Sequence, residues 1–490
     1  MTELYQLKPE KVFAYFERIC SVPHGSGNMK QISDLCVHFA QELKLKYRQD
    51  EVYNVVIWKD ASAGYESAEP IILQGHIDMV CAKTQDCTKD MTKEGIDVLT
   101  NGQYVWADKT SLGGDNGIAV AMIFAILSDN DLPHPAIEAV LTVDEETGMD
   151  GAIALDCSDL KGRKLINIDS EKEGVFTVSC AGGVCLSCFL PGEQRPLSGE
   201  IGYDVTITGL CGGHSGVEID KGRASANHLM GRVLFMAAEQ IEGLRVADIR
   251  GGQAANVICP MNTAKVAVPA ADCATFEALL AELEAVLKNE YAFGDAGLKL
   301  QYEKTSLTEA LDRETTGEML YVLFALPQGV QEMSMELPGQ VQTSLNLGTI
   351  AVEKDGLHFT YSIRSSIASQ KNKLKKLLHM IVEKAGGSIC GSGDYPGWQF
   401  AKESDLRDTV LAAYREISGK EGVITATHGG IECGLFSEKL PGLDAISMGP
   451  DLIDIHSVNE RLDVASTARV YELLCEILRR SISAEAATTI

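Results

Sequence analysis

The sequence predicts an α/β fold, in which a domain built on a mixed sheet is interrupted by an inserted α+β domain. Three observations carry this reading. Before about Gly182, strand-like apolar runs alternate with helical patterns, the texture of a parallel or mixed sheet with helices on its faces. From there to about Asp405 the pattern changes to half-buried strands such as "VCLSCFL", "YDVTITGL" and "TAKVAVPA", with helices between them. After Asp405 helices and short strands return. The expected division of the 490 residues is 1–184 and 401–490 for the two parts of the first domain and 185–400 for the insertion. A chain of this length is expected to hold about two or three domains.

Taken in order, "KPEKVFAYFERICSVP" has apolar residues at helical spacing and stops at Val22-Pro23, so a helix is followed by the loop "PHGSGN". A second helix is expected near "MKQISDLCVHFAQELKL". Strands follow at "NVVIWK", "PIILQGHIDMV" and "AVLTVDEE". Between the last two, "TSLGGDNGIAVAMIFAILSD" reads as a glycine-rich turn opening an apolar helix. The insertion adds helices at "ASANHLMGRVLFMAAEQI", "TFEALLAELEAVLKNEYAF" and "KNKLKKLLHMIVEKAG", and a strand at "GLHFTYSIRSS". The chain closes with helices at "DLRDTVLAAYREIS" and "VASTARVYELLCEILRRSI".

Composition removes several classes of function. Lys plus Arg number 43 against 69 Asp plus Glu, a formal charge of −26, which argues against nucleic acid and anionic membrane partners. No run approaches the roughly 18 apolar residues of a membrane span. The N-terminal residues lack the apolar core of an export signal, so a cytoplasmic location is expected. The 14 cysteines then read as reduced thiols, and "CLSC" as part of an apolar strand with no second CxxC to complete a zinc site.

Polar groups that can do chemistry collect where apolar strands end. In "LQGHIDMV", His76 and Asp78 lie two apart and would share one face of a strand, one binding a metal and the other orienting its ring. Taken alone, a surface histidine beside an acid explains them as well. "LGGDNG" puts Asp115 before the apolar helix, where it is either an N-cap or, given the glycines around it, a carboxylate aimed inward by an unusual backbone. "NIDSEKEG" places Asp169 after a strand and "DLIDIHSVNE" places His456 after another; a turn former and a loop histidine are the plainer readings. "AVLTVDEETGMDG" ends a strand in Asp144, Glu145 and Glu146. Together, His76, Asp115, Glu145 or Glu146, Asp169 and His456 make the ligand set of a two-metal site. Ions about 3.5–4 Å apart need a shared carboxylate plus further nitrogen and oxygen ligands, a mixture suited to zinc with manganese or cobalt possible.

In their order along nearly the whole chain, "GHIDMV", "GGDNG", "DEETGMDG", "NIDSE", "GGHSGVEI" and the late His456 resemble the zinc-dependent metallopeptidase family of aminoacylases, carnosinases and peptidase T. "NIDSE" and "HGGIECGLF" are similar to its branch that cleaves aminoacyl-histidine dipeptides. The resemblance implies a catalytic domain interrupted by a lid domain that pairs with another lid in a homodimer. It implies that Asp115 bridges two zinc ions, with His76 and Asp169 on one and Glu146 and His456 on the other. Asp78 orients His76, Glu145 is the general base, and a cis peptide is expected at Asp115-Asn116. From the lid, His214 in "CGGHSGVEI" would stabilise the developing oxyanion, in its own subunit or across the dimer. Asn256 in "ANVICP" and Arg364 in "SIRSS" would contact substrate; as plain residues they are a turn residue and a surface strand charge. "GRASAN" and "CP" depart from the family's usual Gly-Arg-Ala-Asn-Ala and Ile-Pro.

The implied activity is hydrolysis of dipeptides, Xaa-His dipeptides such as carnosine among them. An N-acyl amino acid deacylase or a tripeptidase would share every metal ligand. A zinc-binding dimeric scaffold without catalysis is the alternative from another class, and the unligated Glu145 beside Glu146 stands against it.

Overall fold

The computed structural model describes residues 4–482. The chain divides into two compact units, one of Met1–Ser179, Phe400–Ala426 and Ile431–Ile490, the other of Cys180–Gln399 and Thr427–Gly430.

The first unit is organised by an eight-stranded sheet in the order Lys46–Gln49, Val55–Lys59, Ile137–Thr142, Ile71–His76, Lys164–Asn167, Asp444–Ser447, Val175–Cys180 and Val423–Thr427. Its centre is parallel: Ile71–His76 runs with both Ile137–Thr142 and Lys164–Asn167, and the last with Asp444–Ser447. Antiparallel pairs flank this centre. Ile71–His76 and Ile137–Thr142 are buried at every residue, as strands covered on both faces must be, and this is why they read as apolar runs rather than alternating ones. The helix Gly114–Leu127 is apolar all round for the same reason, with Ile118 to Ile126 fully buried. Its Phe124 packs against Phe39 of helix Lys30–Glu42 and Tyr15 of helix Glu10–Cys20, with ring centroids 4.6 and 5.7 Å away. Burying the rings of Phe39 and Phe124, both fully buried, contributes about 1.5–3 kcal/mol each.

Because the central strands are parallel, their C-terminal ends lie along one edge, and the residues following His76, Thr142, Asn167 and Ser447 emerge there. A small four-stranded sheet, Leu452–Ile453, Arg461–Asp463, Tyr104–Ala107 and Val98–Thr100, holds the loop bearing His456 between its first two, antiparallel strands.

The second unit carries a nine-stranded sheet whose pairings are antiparallel, from Lys299–Thr305 at one edge to Ser388–Tyr395 at the other. Helices Ala226–Gln240, Cys273–Glu290, Arg313–Ala325 and Ala368–Lys384 supply apolar faces to its core. "CLSC" lies in strand Gly182–Pro191, and its two cysteines are free thiols, as are the others. Among the described residues no helix is long and apolar enough to cross a membrane.

Candidate metal centre

His76 ends its strand and is 1% exposed. Its Nδ1 donates to the backbone carbonyl of Asp78 at 3.0 Å and lies 3.3 Å from Asp78 Oδ1. With the proton fixed on Nδ1, the lone pair is on Nε2, which faces Asp115 Oδ1 at 3.2 Å and Asp169 Oδ1 at 3.4 Å. Asp78 is itself held, accepting from Ser26 Oγ at 2.8 Å and from the Glu145 N–H at 3.1 Å. The strand stops at His76, so Asp78 reaches the imidazole from the irregular segment after it, not from the same face of a strand.

The other oxygen of Asp115 faces the second histidine: Oδ2 lies 3.1 Å from His456 Nε2. His456 Nε2 is also 2.8 Å from Glu146 Oε1, a buried oxygen without an aligned hydrogen bond. One carboxylate thus presents each oxygen to a different imidazole nitrogen. His76 and Asp169 gather on one side, His456 and Glu146 on the other. Donors held at 2.0–2.2 Å around a tetrahedral zinc lie about 3.3 Å from one another, and the donor atoms here are 2.8–3.4 Å apart. Ligand atoms of His76, Asp115 and Glu146 all fall within 4.8 Å of each other. The donor set fits divalent cations.

Electrostatics make the same case. Burial would lower the pKa of His76, but Asp169, Asp115 and Asp78 raise it well above the usual value. The carboxylates of Asp115 and Glu146 beside its ring raise His456 to about 10. Burial pushes Asp169 up to about 6, against the pull of His76. It pushes Glu145 up to about 9, with His76 opposing and Asp169, Glu432 and Glu146 adding their repulsion. Carboxylates this crowded ionise together at neutral pH only when positive charge beyond two imidazoles compensates them.

Glu145 and Glu146 are separated by a device different from the alternation of side chains along a strand. The strand ends at Thr142, and the acids open a short helical turn, Glu145–Gly148, after Asp144 with a left-handed φ of 51°. Successive helical residues point about 100° apart. Asp144 accepts from the Gly27 N–H at 2.7 Å and so fixes the loop "PHGSGN".

The peptide bond Asp115-Asn116 is cis, as expected. Two neighbours of the centre lie in the motifs "GGDNG" and "HGGIECGLF" without a role that the sequence assigns. Asn116 Oδ1 accepts the His76 N–H at 3.2 Å and its Nδ2 donates to the Ile168 carbonyl at 2.6 Å, tying the segments of His76 and Asp169 together. Glu432 is fully buried, accepts from Thr142 Oγ1 at 2.7 Å and from Gln74 Nε2, and is pushed up to about 7 chiefly by burial. Its only signal is an acid among the small and apolar residues of "HGGIECGLF".

In the second unit His214 belongs to a two-residue strand paired with Val257–Ile258. Its Nδ1 accepts from the N–H groups of Gly216 at 3.1 Å and Val217 at 3.3 Å, so the neutral ring carries its proton on Nε2. Burial and then the Arg364 charge lower its pKa, keeping it neutral. Asn256 is exposed in the adjoining turn, and its carbonyl accepts from the Ser215 N–H at 2.9 Å. Arg364 is half-buried on strand Gly356–Ser365 with Nη1 3.4 Å from both Tyr395 Oη and the His428 carbonyl.

Residues 205–295 match the peptidase dimerisation domain of the M20 family. Over 481 residues the chain is 36% identical to the cytosol non-specific dipeptidase of Escherichia coli (strain K12), covering 98% of this chain and 99% of that one. The crystal structure of aminoacylhistidine dipeptidase from Vibrio alginolyticus superposes with a TM-score of 0.94 at 34% identity over 98% of each chain. Aminopeptidase PepT from Bacillus cereus shares the fold at 16% identity, with a TM-score of 0.58 over 97% of this chain and 99% of that one.

Proposed function

This chain belongs to the M20 family of metallopeptidases and is a metal-dependent dipeptidase, and from that premise we propose that it cleaves dipeptides, Xaa-His dipeptides such as carnosine among them, at a pair of divalent cations. One observation carries the pairing: the two oxygens of Asp115 face His76 Nε2 and His456 Nε2 at 3.2 and 3.1 Å. His76 and Asp169 would hold one ion, Glu146 and His456 the other, with Asp115 between them. Zinc suits this mixture of imidazole and carboxylate best, with cobalt or manganese as substitutes.

When bound, such cations supply Lewis acidity at the scissile carbonyl and lower the pKa of a water from 15.7 to about 7. Glu145 takes the proton of the attacking water and returns it to the leaving amine. Asp78 holds His76 in the tautomer that leaves Nε2 free. From the second unit, His214 is the oxyanion donor through its protonated Nε2. Arg364 would take the substrate's C-terminal carboxylate in its planar fork, with Asn256 as a further contact. Loss of one oxyanion donor costs about 10²–10³ in kcat. His214→Ala is expected to lower kcat by that factor with KM little changed, as steady-state kinetics on a dipeptide will read.

The dimerisation domain supports a homodimer through this insertion, and the cytosolic relative supports a cytoplasmic location. The function is tested by assaying zinc-reconstituted protein against carnosine, other Xaa-His dipeptides, dipeptides without histidine, a tripeptide and an N-acetyl amino acid. Cleavage of the dipeptides is expected, with Xaa-His members among the substrates. Turnover of only the N-acetyl compound or only the tripeptide would make the chain a deacylase or a tripeptidase, and zinc binding without any turnover would make it a scaffold.

A further inference from the structure

Two loops bring groups to the metal centre from opposite ends of the chain, and one buried carboxylate fastens them together. Glu460 lies four residues after His456 in the same loop and is 3% exposed. Its Oε2 accepts the N–H groups of Leu112 at 2.7 Å and Gly113 at 3.1 Å, and its Oε1 those of Gly114 at 2.8 Å and Asp115 at 3.3 Å. Every donor in this row of consecutive residues meets the same carboxylate. The last of them is the N–H of Asp115 itself.

Successive N–H groups converge on one anion only where the backbone makes a concave nest, and here Gly113 supplies it with a φ of 68°. A Cβ on Gly114 would lie 3.2 Å from Glu460 Oε1 and 2.8 Å from Leu452 Cδ2. Gly113 is therefore explained by the left-handed φ the nest requires, and Gly114 by the close approach of Leu452 together with the Glu460 carboxylate. A helix cap alone would be a sufficient account if the acid came from a neighbouring surface residue. It comes instead from the loop of His456, so the contact spans the interval between Asp115 and His456 that sets their 3.1 Å separation.

We propose that Glu460 is a positioning residue: by gripping the backbone from Leu112 to Asp115 it fixes Asp115 against His456 and so sets the affinity and geometry of the metal centre. This rests on the reading of Asp115 and His456 as ligands. Outer partners that orient metal ligands are worth about 10–100-fold in affinity. Glu460→Gln preserves size but sets an NH2 group against N–H donors. Its zinc affinity, measured by competition with a chromophoric chelator, is expected to fall by about that factor, and the visible absorption bands of the cobalt-loaded protein to shift. Parental zinc affinity and an unchanged cobalt spectrum, with only the melting temperature lowered, would reduce Glu460 to a helix cap and overturn the proposal. Should the Gln variant not fold, Glu460→Asp keeps the charge but shortens the reach; weakened zinc binding with shifted cobalt bands would again support the clamp, and parental values of both would overturn it. The parent is titrated alongside: absence of zinc binding there would refute the ligand assignment, whereas strong binding by the parent and an unaltered variant would refute the clamp alone.

Discussion

Glu145→Gln is expected to lower kcat on any dipeptide by about 10²–10⁴-fold, the usual worth of a positioned general base, while zinc content and KM stay near those of the parent. The amide has the shape of the carboxyl, so the packing around this buried side chain is kept, but it cannot accept a proton from water. Metal content should hold because the donor atoms that face one another are those of His76, Asp115, Glu146, Asp169 and His456. Folding should not suffer either. Glu145 is pushed up to about 9 by burial and by Asp169, Glu432 and Glu146 around it, so its charge is a cost to the folded chain unless cations compensate it. Steady-state kinetics and zinc analysis on the same preparation distinguish the outcomes. A variant keeping more than a tenth of parental kcat would remove Glu145 from the role of base, and one that lost zinc would make it a ligand.

What makes Glu145 legible in the sequence is its company. A run of acids at the end of an apolar strand is costly without a compensating charge, and His76, Asp169 and His456 each follow an apolar run of the same kind. Parallel central strands bring such ends to one edge, so the set of strand-terminal groups is already a rough map of a site in this class of sheet. The orientation of those groups is not legible. The divergence of Glu145 from Glu146 depends on a left-handed Asp144 starting a helical turn, a backbone choice that periodicity does not encode. Asn116, Glu432 and Glu460 lie in quoted motifs, yet their roles are not legible for a shared reason: each acts on partners far away in the chain, through backbone groups or strand-end side chains whose positions only the fold supplies. In the second unit, "CGGHSGVEI" identifies His214, but its tautomer follows from the Gly216 and Val217 N–H groups folding back onto Nδ1.

Removing the cations by chelation is expected to abolish activity, zinc to restore it, and the stripped protein to lose stability as pH rises. Asp169, Glu432 and Glu145 have folded-state values of about 6, 7 and 9 against ordinary values of 3.8, 4.5 and 4.5. Between about pH 4 and pH 9 these three carboxyls therefore hold more protons in the folded stripped chain than in the unfolded one, and their contribution to stability falls as pH increases. His76 and His456 act in the same direction. Their raised values, about 10 for His456, give stability that is complete below 6.5 and is lost as pH climbs through the folded value. Asp78 and Asp115 are held below 3.8, so their contribution is present above that value and is lost only as acid titrates them. Over pH 6 to 9 they oppose nothing. Bound cations replace protons as the counter-charge of the carboxylates, and the loaded enzyme should be nearly insensitive to pH over this interval. Melting temperatures of stripped and zinc-loaded protein measured across it should diverge by several degrees toward the alkaline end. Parallel curves, or hydrolysis that survives exhaustive chelation, would show that cations do not compensate this cluster.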